Sequence, residues 1–374
     1  MAVLPMVLIT EILSRLPVKS LVRFGCVSKP WDSLIKDPIF IKLHLKHSLE
    51  TDTNQTLIIR DGCLYSLDFP VLNSLTLIDH PLKTDRFETE LQGSCNGPLC
   101  LYNDDEEGMN GTIFYNPATR KHIDVPVSEI ELPGDQNYAL ARDSSDRTVY
   151  GFGYDHVTDD YKLVRVIQFM GGDEFDSEVK VYSLNSGSWG GICYFLREYY
   201  LTYKRLWGYY PEYSDTEFHI DVGVLKGCLC VLCNYVDVKS EFWVMEEYDA
   251  QNSWTKMFSI AQRDIIGVYE YVRPLARSKE GSRVLVEQDG KSLFWFDLEI
   301  QTIDNVEVAG LRRMLDAEMM VESLVPLECS QRKVKPKVKK VHPKLKEKKS
   351  KQKSYSIENL YLGFSYLKFA FNFR

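Results

Sequence analysis

The sequence lacks any long hydrophobic run, since nowhere in its 374 residues do about 18 apolar residues follow one another. No membrane-spanning segment is therefore expected. The first residues are apolar, but they carry no positive charge, and Glu11 interrupts them before they reach the length of a secretory signal. The nine cysteines are odd in number and scattered, which argues against a disulfide framework. We expect reduced thiols and a location in the cytoplasm, the nucleus or both.

Motifs for catalysis are also lacking. There is no Gly-x-Ser-x-Gly elbow, phosphate-binding loop or zinc-hydrolase helix, and the seven histidines stand singly. Cys228, Cys230 and Cys233 come nearest to a metal site, but no fourth ligand follows at a standard interval, so a core strand is the favoured interpretation. Asp159 and Asp160 resemble an acid/base pair, yet a turn between strands explains them better. We expect no catalytic residue, no metal and no cofactor.

The charge is unevenly distributed, although 44% hydrophobic and 26% charged residues are typical of a folded soluble protein. The formal net charge is -8, but residues 332–353 contain twelve Lys or Arg and one acidic residue. Residues 1–48 contain seven bases and three acids, which leaves the central region near -23. A domain this acidic is expected to prefer partners with basic or mixed surfaces and not to bind nucleic acid itself.

The first 48 residues have a helical period. The apolar positions of the first segment are Leu8, Ile9, Ile12, Leu13 and Leu16. Pro17 ends that segment, Ser20 is the predicted N-cap of a second helix, and Pro38 separates a further one. Such a module is too small to bury much apolar surface alone. It either completes its core on a partner or packs as a cap on the rest of the chain, and the spacing leaves both open.

Residues 55–327 change to short β-branched and aromatic segments with Gly or Asx breaks, which predicts strands. They contain an internal repeat in which a strand ends in an aromatic residue, a polar turn follows and another strand begins. The repeat aromatics are Tyr115, Tyr182, Tyr248 and Phe296, separated by 67, 66 and 48 residues. This spacing favours a propeller of the kelch kind, with four-stranded blades, over a large β-sandwich or barrel.

The last part, residues 331–374, begins with a Lys-rich stretch that contains Pro and Ser and cannot form a core. We expect this extension to be largely disordered. Nuclear import and non-specific contact with nucleic acid are alternatives for the basic stretch, and it could also lie on the acidic body. Residues 354–374 are rich in Tyr and Phe, and a docking strand, a short helix and an accidental extension all remain open for them.

The residues resemble a known family. Leu4-Pro5, Glu11-Ile-Leu-Ser-Arg-Leu-Pro and Trp31-Asp-Ser-Leu-Ile resemble an F-box. Gly97-Pro-Leu-Cys-Leu, Tyr115-Asn-Pro-Ala-Thr-Arg-Lys and Glu322-Ser-Leu-Val resemble the F-box-associated interaction domain of plant F-box/kelch-repeat proteins. The match covers about residues 4 to 327. It implies a small helical F-box at 1–48, a β-propeller at 55–327 and an extension at 331–374.

The resemblance also implies a function. An F-box docks on the Skp adaptor of an SCF (Skp–cullin–F-box) ubiquitin ligase, and through it on the cullin and RING subunits, while the β domain captures the target. The chain itself is then a non-catalytic receptor subunit. By family match the adaptor-facing positions are Leu4, Pro5, Ile9, Ile12, Leu13, Leu16, Pro17, Leu21, Val27, Trp31 and Ile35, some of which pack the module's own core.

Two positions depart from the family pattern. Met6 and Val7 are apolar where acidic or polar residues are common, and Pro30 stands where Ser or Ala is usual. Proline costs about 3 kcal/mol in a helix interior but is tolerated at the start of a helix, so we predict that a new helix begins at Pro30. The alternative function that these departures suggest is a non-degradative interaction scaffold whose F-box binds the adaptor weakly or not at all.

An aromatic segment interrupts the repeats. Residues 194–213 contain nine Tyr, Phe or Trp residues, a composition enriched at binding hot spots. The alternative is an extra strand whose aromatics pack between blades. The candidate target-binding residues are Tyr199, Tyr203, Trp207, Tyr209 and Tyr210.

Overall fold

The computed structural model describes the helical N-terminus and most of the β domain. The described residues are 4–84, 86–103, 111–130, 148–171, 174–194, 218–225, 228–235, 238–245, 254–261, 269, 272–311 and 316–328. The predicted extension at 331–374 and the aromatic candidates between 199 and 210 lie outside the described residues. None of the helices in the described ranges is long and apolar enough to cross a membrane.

Four helices form the N-terminal module, which we call the helical module (residues 4–50). They are α1 Met6–Leu13, α2 Val18–Phe24, α3 Lys29–Ile35 and α4 Pro38–Glu50. At the start of α4 the Asp37 carboxylate accepts hydrogen bonds from the backbone N–H groups of Ile39 at 2.8 Å and Phe40 at 3.2 Å. Pro38 follows the cap, where its missing N–H removes no helical bond.

The start of α2 differs from the sequence prediction. Pro17 stands directly before the helix with φ -58° and ψ 145°, and Ser20 lies inside the helix rather than at its N-cap. The Ser20 prediction was wrong because a proline fixes φ near its helical value, so the helix begins immediately after Pro17 without a side-chain cap.

Twenty strands follow in the described part of the chain. In order they are β1 Gln55–Asp61, β2 Cys63–Asp68, β3 Thr76–Leu77, β4 Glu90–Ser94, β5 Leu99–Asn103, β6 Gly111–Asn116, β7 Lys121–Val125, β8 Thr148–Asp155, β9 Asp160–Gly171, β10 Glu174–Ser183, β11 Ser188–Tyr194, β12 Phe218–Leu225, β13 Cys228–Tyr235, β14 Lys239–Met245, β15 Trp254–Ala261, β16 Val272–Arg277, β17 Arg283–Gln288, β18 Ser292–Asp297, β19 Ile303–Val306 and β20 Asp316–Val321.

The strands form five four-stranded antiparallel sheets, which we call blades 1 to 5. Blade 1 has the order β20-β1-β2-β3, and blades 2 to 5 take β4–β7, β8–β11, β12–β15 and β16–β19 in sequence order. Blade 1 joins the two ends of the domain, since β20 pairs antiparallel with β1 from Gln55 opposite Val321 to Arg60 opposite Asp316. This pairing ties the last strand to the first, so that blade 1 is complete only when both ends of the domain are in place.

Apolar clusters fill the spaces between neighbouring blades. Within the described residues they lie between blades 4 and 5, 5 and 1, 1 and 2, and 2 and 3. Phe114 of blade 2 packs on Phe152 of blade 3 with ring centroids 4.6 Å apart, and Phe258 of blade 4 stacks on Phe296 of blade 5 at 5.6 Å. Sheets stacked face to face in this order form a propeller, so the predicted fold class, a helical module followed by a mainly-β propeller, is confirmed.

The sequence repeat corresponds to one part of each blade. Tyr115, Tyr182 and Phe296 lie in β6, β10 and β18, each the third strand of its blade, and all three are buried. Tyr248 lies outside the described residues. The repeat therefore arises because these blades bury an aromatic residue before their last turn, where the side chain fills the space toward the preceding blade.

Candidate docking surface

The first helix exposes most of its apolar surface. Val7 is 78% exposed and Ile12 is 53% exposed, and Leu4 and Pro5 ahead of the helix are also exposed. On α1 only Leu13 is an apolar side chain that is fully buried. A contiguous helix that shows its apolar side chains to solvent is a feature of a surface that binds another protein.

A second group of the candidate residues forms the interior of the helical module. Leu13, Leu21 and Ile35 are buried in one cluster, together with Val18 and Phe40. Because a partner cannot reach buried side chains, these three belong to the core and not to the docking surface. They support the exposed residues by fixing how α1, α2 and α3 pack on each other.

The remaining candidates lie at the border of that core. Ile9, Leu16 and Trp31 are partly buried and pack against the cluster. Trp31 meets Phe24 edge to face, with ring centroids 5.7 Å apart. Pro17 and Val27 are exposed, at the starts and ends of helices. The structure thus divides the eleven candidates into exposed, bordering and buried sets.

Sequence reasoning missed several exposed apolar side chains of the module. They are Met6, Val7, Leu8, Val22, Ile39, Leu43 and Leu49. Met6 and Val7 drew attention as departures from the family pattern, and that was the available signal for them. The face of α4 that carries Ile39 and Leu43 had no such signal, because apolar residues occur on both of its sides.

Pro30 lies in the first turn of a new helix, as predicted. Ser28 caps α3 by accepting a hydrogen bond from the Trp31 backbone N–H at 3.4 Å, and the helix begins at Lys29, one residue before Pro30. The first-turn N–H groups have no intrahelical partner, so proline removes no bond there. The cost expected for a proline in a helix interior does not arise.

The propeller completes the core of the helical module. Leu324, in the segment of residues 322–328 that follows β20 and that we call the closing segment, is 7% exposed and belongs to the same cluster as Leu13 and Leu21. Ala118 and Val325 pack against this cluster from the propeller side. The module therefore packs as a cap on the rest of the chain with one face, while α1 still exposes apolar residues on another. The two interpretations left open by the sequence, a cap on the chain and a partner-binding module, thus apply to different faces of the module.

Asn116 fixes the backbone around Leu324. Its side chain is fully buried, and its amide nitrogen donates to the carbonyl oxygens of Ser323 at 3.1 Å and Val325 at 2.9 Å. Its amide oxygen accepts a hydrogen bond from the Ala118 N–H at 3.0 Å. A buried amide with all of these bonds made holds the closing segment in one position relative to blade 2.

Two groups of ion pairs border this apolar contact. On α2, Lys19 lies 3.4 Å from the Asp68 carboxylate and 4.0 Å from that of Glu322. On α4, Lys42 lies 2.6 Å from Asp159, in the turn between β8 and β9. The two lysines lie on different helices and reach different blades, so together with Leu324 they hold the module at separate points.

These contacts shift two carboxyl groups in opposite directions. The hydrogen bond from Lys42, followed by one from the Tyr154 hydroxyl, lowers the pKa of Asp159 below its ordinary value. Burial raises the pKa of Glu322, with Asp68 adding to the shift and Lys19 opposing it. Asp159 thus favours the docked arrangement when ionised, whereas ionised Glu322 depends on Lys19 to offset its burial.

The two neighbouring aspartates serve the turn and its surroundings. Asp159 has a positive φ of 51° at the end of the turn, and Asp160 begins β9. The Asp160 carboxylate accepts hydrogen bonds from the Ser183 hydroxyl at 2.6 Å and the Asn185 N–H at 2.9 Å. The Asp159 carboxylate thus contacts the helical module and the Asp160 carboxylate joins neighbouring strands, in agreement with a structural role for the pair.

The cysteine-rich segment forms a strand of blade 4. β13 begins at Cys228, and Cys233 within it is buried, which raises the pKa of its thiol to about 12. A thiol with this pKa stays protonated at neutral pH and is a poor metal ligand. Within the described residues no group of three or more His, Cys, Asp or Glu side chains is placed to hold a metal ion.

Comparisons with known proteins match both parts of the chain. A family model described as "F-box domain" matches residues 2–43, and one described as "F-box associated beta propeller domain" matches residues 72–206. The F-box protein CPR1 of Arabidopsis thaliana is 33% identical over 379 residues, covering 87% of this chain and 89% of that protein. A second F-box protein of Arabidopsis thaliana is 32% identical and covers 87% and 90%. An F-box/kelch-repeat protein of the same plant is 27% identical and covers 78% and 87%.

Proposed function

Because the chain belongs to the F-box proteins that carry an F-box-associated propeller domain, we propose that it is the substrate-recognition subunit of an SCF ubiquitin ligase. The helical module binds a Skp-type adaptor, which connects it to the cullin and RING subunits, and the propeller captures the target protein. The observation that carries this proposal is the exposed apolar surface of α1, which remains uncovered although the propeller has completed the core of the module.

The anchors of the adaptor interface are the exposed members of the candidate set. They are Leu4, Pro5, Ile12, Pro17 and Val27. Burying their apolar side chains is favourable by about 25 cal/mol per Å² of apolar surface removed from water. Interfaces of this kind depend on a few buried apolar anchors, and removing one anchor costs roughly 1–4 kcal/mol. The buried and bordering residues shape the surface that these anchors share.

The chain contributes binding and not chemistry. Its carboxylate pair at the β8–β9 turn is engaged in structural bonds, and the Cys233 thiol is protonated in the core. Ubiquitin transfer then takes place on the other subunits of the ligase. The receptor's part is to bring the target within their reach, a function that needs a defined geometry between the F-box and the propeller.

The target is a protein with a basic or mixed surface, because the β domain is strongly acidic. The residues proposed to bind it are Tyr199, Tyr203, Trp207, Tyr209 and Tyr210, from the aromatic composition of that segment. The double substitution Trp207→Ala with Tyr210→Ala is expected to abolish target capture without unfolding the propeller. Undiminished target binding by a folded double variant would remove this assignment.

Co-purification of the full chain with a purified Skp-type adaptor tests the adaptor half of the proposal. The wild type is expected to form a stoichiometric complex, and Ile12→Asp to lose it, because a charge is placed in the apolar interface. Val157→Asp is the matched control, since Val157 is likewise an exposed apolar residue, in the β8–β9 turn of the propeller. A wild type that does not bind the adaptor contradicts the ligase proposal and favours a non-degradative interaction scaffold.

A further inference from the structure

We propose that the F-box and the propeller form one rigid unit, in which the closing segment of the propeller completes the F-box core and Asn116 is the positioning residue that sets this segment. The inference concerns a contact within the chain. Only its consequence for the adaptor rests on the proposed function.

The argument begins with the F-box core. Its fully buried members Leu13, Val18 and Leu21 come from α1 and α2, and Phe40 comes from α4. Leu324 of the closing segment enters the same cluster at a comparable depth. Four short helices share a small interior, so one leucine from outside is a large fraction of it. Removing that side chain leaves a cavity between the helices and the propeller.

The backbone that presents Leu324 is held from both sides. Asn116 bonds the carbonyl oxygens of residues 323 and 325, which flank Leu324 directly. The Ser323 side chain, itself fully buried, donates to the Asn96 carbonyl and accepts from the Val325 N–H at 3.3 Å. These bonds fix the direction in which Leu324 points, so that its place in the F-box core is set by blade 2.

The polar contacts at the border act in the same direction. Lys19 reaches Asp68 and Glu322, and Lys42 reaches Asp159. Exposed ion pairs of this kind contribute little to stability by themselves. They lie to either side of the apolar contact, however, and therefore oppose rotation of the helices about Leu324. The combination of one buried anchor and ion pairs from two lysines, one on each side of it, is what makes the unit rigid.

The functional consequence is a fixed distance between the adaptor-binding surface and the propeller. A receptor that holds this distance presents its target at one place relative to the rest of the ligase. It also presents a preformed surface to the adaptor, so that little ordering is required on binding. Loosening Leu324 is therefore expected to weaken adaptor binding even though Leu324 lies outside the adaptor surface.

Hydrogen–deuterium exchange of the full chain, without any adaptor, tests the rigid unit. The informative pair is Leu324→Ala and Leu327→Ala, because both leucines are buried in the closing segment but Leu327 packs between blades 2 and 3. Leu324→Ala is expected to raise the exchange rates of amides in α2 and α4 at least tenfold and to leave β9 and β10 protected. Leu327→Ala is expected to show the reverse pattern. Helices that stay protected in Leu324→Ala, or that open equally in both variants, would overturn the proposal.

A second pair tests the role of Asn116 and remains informative if a leucine variant fails to fold. Asn116→Ala is compared with Asn103→Ala. Asn103 is also a buried amide of blade 2, but its amide nitrogen donates to the Leu82 carbonyl at 3.1 Å and not to the closing segment. Faster exchange of the F-box helices is expected only in Asn116→Ala. An equal effect of the two substitutions would mean that Asn116 merely stabilises blade 2, and the positioning role would be lost.

Affinity for a purified Skp-type adaptor separates this inference from the proposed function. Leu324→Ala is expected to bind at least threefold more weakly than Leu327→Ala, and equal affinities would overturn the coupling. A wild type that binds no adaptor would instead remove the proposed function, and the exchange comparison would still decide whether the unit is rigid.

Discussion

Gly97 of blade 2 and Ser323 of the closing segment lie so close that a Cβ on the glycine would stand 2.0 Å from the serine Oγ. Gly97 also has a φ of 110°, which is unfavourable for any residue with a side chain. The closing segment thus passes over the turn before β5 at a distance that only glycine permits. This contact keeps Ser323 in place and with it the neighbouring Leu324.

We expect Gly97→Ala to destabilise the protein by about 3 kcal/mol or more, because the methyl group both strains the backbone and displaces Ser323. Gly62→Ala is the control, since Gly62 has a φ of 66° and no atom lies within 4 Å of the position that a methyl group would take there. That substitution is expected to cost about 1–2 kcal/mol from the backbone alone. Urea unfolding of both variants makes the comparison, and equal losses would show that the close approach has no energetic weight.

Neighbouring residues of α1 are expected to behave in opposite ways. Ile12→Ala should change the free energy of unfolding by about 0.5 kcal/mol or less, because Ile12 is exposed, and should weaken adaptor binding by about tenfold or more. Leu13→Ala should cost about 2–5 kcal/mol of stability, because it leaves a cavity in the core. Thermal unfolding and adaptor titration of both variants test this. An Ile12→Ala variant that keeps full affinity would remove α1 from the interface.

Pro30→Ser is expected to have little effect on either stability or adaptor binding. Pro30 is exposed in the first turn of α3, where neither its ring nor its missing N–H disturbs a helical bond. We expect a change of about 0.5 kcal/mol or less in unfolding and of less than about threefold in affinity. The measurement is adaptor titration of the wild type and the variant side by side. A large gain of affinity in Pro30→Ser would show that the proline weakens the docking surface.

The Lys19 contact is expected to give a pH-dependent stability. Burial raises the folded-state pKa of Glu322 above its value in the unfolded chain, so ionised Glu322 opposes folding, and the opposition is greatest above the raised pKa. It declines as the pH falls through that pKa toward the ordinary value of about 4.5. Lys19→Met removes a cation that offsets the ionised group. It should therefore lower stability by about 1 kcal/mol or less near pH 8, and by a smaller amount near pH 5.

Urea unfolding at the two pH values measures this difference. Lys36→Met is the control, because Lys36 pairs with Asp32 within the exposed surface of α3 at 2.8 Å. Its effect should be small at both pH values. A Lys19→Met effect that does not change between pH 8 and pH 5 would show that Lys19 does not act through Glu322.

Arg273 is expected to be essential for the junction of blades 5 and 1. Its guanidinium donates to the Glu287 carboxylate at 2.9 Å, to Asp316 at 2.8 Å and to the Ala317 carbonyl at 2.7 Å. Arg273→Met withdraws the cation from carboxylates that lie inside the propeller, and it should cost about 3–5 kcal/mol. Removing the Arg15 side chain from its exposed pair with Glu11 should cost about 0.5 kcal/mol or less. Comparable losses in chemical denaturation would contradict this.

Local signals in the sequence were sufficient for the kind of structure. The helical period ends at Pro17 and Pro38 because proline cannot continue a helix, and the aromatic residue before each polar turn recurs because the blades need one there. Each of these features determines the structure of only the few residues around it. They therefore predict the helical module, the strands and the family, whereas they misplaced the start of α2 at Ser20.

The sequence by itself determined which elements form and in which order they follow, since proline stops, caps and repeat aromatics are recognised within one turn or one hairpin. Only the tertiary structure decided which apolar residues of the F-box are core and which are surface. Ile12 and Leu13 have isomeric aliphatic side chains and are adjacent in sequence, but Leu324, which follows the last strand of the propeller, packs in the cluster that buries Leu13. Burial depends on that distant contact, and the position of the contact depends on Asn116, whose partners no local pattern reveals.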